Sequence, residues 1–75
     1  MTRTFTVVIQ REGDMYVAFS PELDIASQGT NVQEARENLR EAIELVFEHA
    51  DPAEIEGRTH GEQYVSSVDI VIGQA

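Results

Sequence analysis

Most of the residues able to do chemistry are carboxylates. Glu22 and Asp24 stand two apart in the stretch FSPELDIASQGTN (19–31), beside a proline and ahead of a glycine, as at the rim of a catalytic loop. Acid–base or two-metal chemistry needs such groups brought within a few ångströms of one another. Glu12, Asp14, Glu22, Asp24 and Asp69 fall instead in predicted turns or on different strands, with no spacing that forces them together. His49 lies near the end of a predicted helix, where the dipole favours an imidazolium, and His60 lies in a glycine-bearing loop. Neither belongs to an H-x-x-x-H or H-E-x-x-H spacing. The chain has no cysteine, no serine in a nucleophile-elbow pattern and no phosphate-cradling G-x-x-x-x-G-K. The expectation is a chain that is not an enzyme, with no catalytic, cofactor-binding or metal-binding residue.

The elements around these residues are clearer. TRTFTVVIQ alternates, with Phe5, Val7 and Ile9 on one face and Thr4, Thr6, Val8 and Gln10 on the other. Gly13, free to take a positive φ, turns the chain into a second alternating run, MYVAFS. Pro21 offers no amide hydrogen and holds Ser20 extended, so the second strand should stop there. A short third strand spans 25–28. Asn31 then caps a helix, with Glu34 three residues on, and Thr30 with Gln33 offers the same device one residue earlier. Val32, Ala35, Leu39, Ala42, Ile43, Val46 and Ala50 form its apolar stripe. Asp51, Pro52 and Glu54 predict one further helical turn ending at Gly57, followed by a loop, RTHGEQ. YVSSVDIVIG closes the chain as a strand with Tyr64, Val68, Ile70 and Ile72 on one face. The expected fold is α+β: a single domain over 1–75 in the order β-β-β-α-β. Its mixed four-stranded sheet has the order 3-2-1-4, with the helix on one face.

Composition narrows the classes. At 75 residues, 41% apolar, the chain suits one small globular domain. Five basic against fourteen acidic residues give a net charge of −9, which repels phosphate backbones and anionic lipid and attracts basic partners. Direct nucleic-acid binding is therefore not expected. No apolar run approaches a membrane span, and the start lacks a signal-peptide pattern, so a cytoplasmic protein is expected.

Two surfaces stand out. Glu37, Glu41, Glu44 and Glu48 cluster on the helix side opposite the apolar stripe, as a landing surface for a cationic protein or as a merely solvated face. Val8, Tyr16, Ala18, Val65 and Val71 fall on the sheet face that the helix is not expected to cover. That face predicts a homodimer or higher oligomer.

A run of these residues resembles a known family. Tyr16, Ala18, Pro21, Glu22, Leu23, Ser27, Gly29, Glu34, Ala35, Asn38, Glu41 and Ala42 are similar to the N-terminal pattern of HicB antitoxins, over roughly 5–48. The resemblance implies a truncated ribonuclease H-like fold without nuclease chemistry, matching the missing carboxylate on the first strand. It also implies a basic HicA-type toxin as partner, a ribonuclease whose catalytic histidine is covered. Gly13, Pro21, Gly29 and Asn31 are the expected turn and cap positions. Two departures are visible: Asp24-Ile25 replaces a common Pro-Gly, and the sequence stops at Ala75 where repressor members continue into a DNA-binding segment, so DNA binding is not expected from the resemblance. The rival readings are an orphan acidic scaffold without a toxin and a nuclease remnant.

Overall fold

The computed structural model describes residues 2–51, 53–54, 57 and 63–73. Three strands, β1 (Val8–Glu12), β2 (Met15–Ser20) and β3 (Ile25–Gly29), are followed by one long helix, α1 (Val32–His49). The strands form an antiparallel meander in the order β1-β2-β3.

Turn chemistry sets the register. Glu12 pairs with Met15, leaving a two-residue loop in which Gly13 has φ 63°. Glycine in that first central position matches a type II′ turn, whose twist suits a hairpin. The Arg11 Nε donates to the Gly13 carbonyl at 2.9 Å and braces it. Ile9 is thereby set opposite Ala18, and Arg11 opposite Tyr16. The strand-ending role of Pro21 is seen in the turn over 21–24, where the Leu23 amide donates to the Ser20 carbonyl at 3.3 Å. Asp24 completes the bend at φ 55°, a left-handed conformation that aspartate tolerates better than most residues.

The core is thin. Ala18, Ala35 and Leu39 are fully buried, with Ile9, Tyr16, Ile25 and Ile43 packed around them. Leu23 is buried under its turn. Small residues at 18 and 35 let the helix lie close to β2 and β3. Beyond Ile43 no helix residue is fully buried: Val46 and Phe47 are half-buried and Leu45 is 54% exposed.

Two expectations are corrected. The fourth strand and the sheet order 3-2-1-4 do not occur: residues 63–73 join no ladder, and the apolar side chains between Tyr64 and Ile72 are 68% to 86% exposed. Period-two patterning reports which side chains share a face; it does not supply the neighbouring edge that makes a strand. The second correction concerns the predicted oligomer face. The register through Gly13 puts Ala18 on the same side as Ile9, so Tyr16 and Ala18 face the helix and belong to the core. A one-residue difference in register exchanges the two faces of a strand. Val8, opposite Phe19, remains half-exposed, while Val65 and Val71 lie on the unpaired segment. The third strand extends one residue further than expected, to Gly29. Asp51 caps the next turn, its Oδ1 accepting from the Glu54 amide at 2.9 Å. Gly57, where the turn was expected to end, is itself helical. Pro52 and His60 lie outside the described residues.

Candidate functional site

The carboxylate that first resembled a catalytic group is a clamp. Glu22 receives the Thr6 amide on both oxygens, at 3.1 and 2.9 Å, and the buried Ser20 hydroxyl at 3.4 Å. It ties the chain entering β1 to the turn leaving β2. Burial pushes the Glu22 carboxyl up, but the hydrogen bonds from Thr6, its own amide and Ser20 together outweigh that effect and hold it below its usual value. An acceptor engaged in this way is poorly placed to take a proton from a substrate.

The next stretch mounts the helix. Asn31 is the N-cap, its Oδ1 accepting from the Glu34 amide at 2.7 Å. The Glu34 carboxylate reaches back, but to Thr30: it accepts from the Thr30 amide at 2.7 Å and from its hydroxyl at 3.1 Å. Asn38 donates through Nδ2 to the Gln28 carbonyl of β3 at 2.8 Å. Between these contacts the backbone of α1 presses on Gly29, where a Cβ would meet the Ala35 nitrogen at 2.5 Å and Glu34 atoms at 2.8 and 2.9 Å. Only glycine admits this approach without displacing backbone.

The helix so mounted displays Glu37, Glu41, Glu44 and Glu48. The last three are exposed, and Glu37 is half-buried. Sequence reasoning missed the guanidinium groups among them. Arg40 bonds Glu37 through Nε at 3.3 Å and Glu44 through Nη1 at 2.9 Å, and Arg36 lies 3.5 Å from Glu37. The hydrogen bond that Arg40 donates to Glu37, then the charges of Glu44, Glu37 and Glu41, raise the Arg40 pKa further above its already high value. The i, i+3 and i, i+4 spacings that produce these pairs were present in the sequence. Glu48 faces His49 at 3.9 Å, a contact that becomes an ion pair when the imidazole is protonated. Four carboxylates and two guanidiniums leave the row acidic by two charges. Arg40 thus occupies Glu37 and Glu44, and any external cation would have to compete with it there.

Beside this row runs a groove of about 760 Å³ between the chain entering β1 and the helix. Phe5, Val7, Leu39, Ile43 and Phe47 form its apolar lining, with Arg36, Arg40 and Glu44 among its polar lining residues. Phe5 and Phe47 meet with ring centroids 5.7 Å apart, and the Arg3 guanidinium sits over both rings at 5.3 and 5.9 Å. Glu44 and Arg40 therefore border an apolar surface, so the acidic row is not wholly opposite the apolar stripe.

Among the described residues no group of three or more His, Cys, Asp or Glu could hold a metal ion. No helix among them is long and apolar enough to cross a membrane. No protein-family model matches the chain, and neither a curated relative nor a solved structure matches it.

Proposed function

We propose that this chain is a noncatalytic binding module of the HicB-like antitoxin kind. It acts in the cytoplasm by covering the catalytic site of a small basic HicA-type ribonuclease. The observation that carries this reading is the exposed acidic face of α1, held rigidly on the sheet by Gly29, Asn31, Glu34 and Asn38. Gly29, Glu34 and Asn38 belong to the pattern shared with such antitoxins, and each of the four residues has a physical task in mounting the helix. The engagement of Glu22 with Thr6 supports a structural role for the Pro-Glu-Leu turn. With a net charge of −9, the chain attracts a cationic protein from a distance and repels the RNA which that protein would bind.

The test is association with a small basic toxin encoded next to this chain. Reversing Glu41 and Glu48 to Lys should weaken the complex by about tenfold or more and restore growth arrest on coexpression. The association rate should also fall as salt rises, because exposed charges are screened beyond about 8 Å at physiological ionic strength. A complex indifferent to both changes would remove the acidic face from the interface. A toxin that arrests growth despite the unaltered chain would overturn the antitoxin reading itself.

A further inference from the structure

One chain carries two complementary surfaces that it leaves unused. The first is the segment 64–72, about 30 Å long if extended at ~3.3 Å per residue. It places Tyr64, Val68, Ile70 and Ile72 on one side, and all are more than two-thirds exposed. The second is the outer edge of β1, which has no ladder partner among the described residues, together with the adjoining groove lined by Phe5, Val7, Ile43 and Phe47. We infer that the segment 64–72 of a second copy of this chain lies along β1 and seats its apolar side in that groove, the exchange being reciprocal between two copies.

Four observations select a second copy as the occupant. The groove and the chain beside it present what a strand needs, an open backbone edge backed by an apolar wall. The segment presents what such a site receives: alternating, largely β-branched residues with Asp69 as its single charge, on the side away from Tyr64, Val68 and Ile70. Gln63 holds the segment's root, its Nε2 donating to the Pro21 carbonyl at 3.0 Å, and beyond it the apolar side chains stand in solvent. The dimensions agree. The radius of gyration is 15.4 Å against about 11 Å for a compact chain of this length. The accessible surface is 6070 Å² against the roughly 4,600 Å² that a compact chain of this size exposes. That excess exceeds the ~800 Å² per partner of a standard interface. Reciprocal use of one segment and one groove gives a closed two-fold dimer and takes the Tyr64, Val68, Ile70 and Ile72 side of each segment out of water. This arrangement does not depend on the antitoxin reading, because it rests on the apolar segment, the edge of β1 and the apolar lining of the groove, which only Glu44 of the acidic row borders.

The experiment is light scattering on the full chain at high micromolar concentration, combined with amide hydrogen exchange. The unaltered chain should run at twice the chain mass, with amides of 64–72 protected. Ile70→Asp, on a side chain already in solvent in the single chain, should keep the helical circular dichroism, run at the chain mass and lose that protection. Val7→Asp, in the groove of the receiving copy, should have the same effect on mass. A monomeric unaltered chain would overturn the inference, as would a dimer that survives Ile70→Asp with segment 64–72 unprotected.

Discussion

At Glu22 two opposing effects meet. Burial disfavours its charge and the Thr6, Glu22 and Ser20 hydrogen-bond donors favour it, and the donors prevail. The sign of the linkage follows: a carboxyl held below its ordinary value of 4.5 stabilises the fold above that value. The contribution is lost as pH falls through the lower, folded-state value. Glu22→Gln keeps one oxygen acceptor and the side-chain shape but cannot carry the charge. Its stability in urea should fall below that of the unaltered chain at neutral pH, and the gap should close in acid, below the folded-state value. Equal gaps at both pH values would mean that Glu22 acts through shape alone. Its role was hidden from the sequence because Thr6 is sixteen residues away. Gly13 and Asn31, whose partners are two or three residues distant, were legible at once.

The contact between α1 and β3 is the most demanding one between elements. Gly29→Ala would drive a Cβ into backbone atoms of Glu34 and Ala35. The expected cost is about 1–3 kcal/mol, read as a lower urea midpoint with unchanged slope. A neutral substitution would show that the helix start can move away from the strand without loss. At this scale much was legible. MYVAFS coincides with β2, and the apolar stripe and its cap locate α1, because short-range periodicity and capping dictate both. The faces of the sheet were less so. Alternation alone does not say which way Ala18 points until the two-residue loop at Gly13 sets the register. The final segment shows the same limit: Tyr64 to Ile72 carries a strand's pattern, yet whether it pairs depends on an edge elsewhere. Within the acidic row the glutamates were read and Arg40 was not, although its spacing to Glu37 and Glu44 is that of a helix ladder.

For the whole molecule, a core built chiefly on Ala18, Leu23, Ala35 and Leu39 is modest, and in the dimer inferred above burial supplied by the second copy becomes part of folding. The melting temperature should then rise with protein concentration, by about 4 °C per tenfold increase for a domain of this size. A melting temperature independent of concentration would mean that one copy is sufficient. The exchanged segment carries a further consequence. Between Tyr64 and Ile72 the only charge is Asp69, and a short β-branched stretch with so little charge can stack on its own kind without limit. Asp69 is then a gatekeeper: it lets one neighbour accept the segment in a groove while discouraging open-ended fibre growth, so a chain made faster than it can find its counterpart is at risk of aggregation.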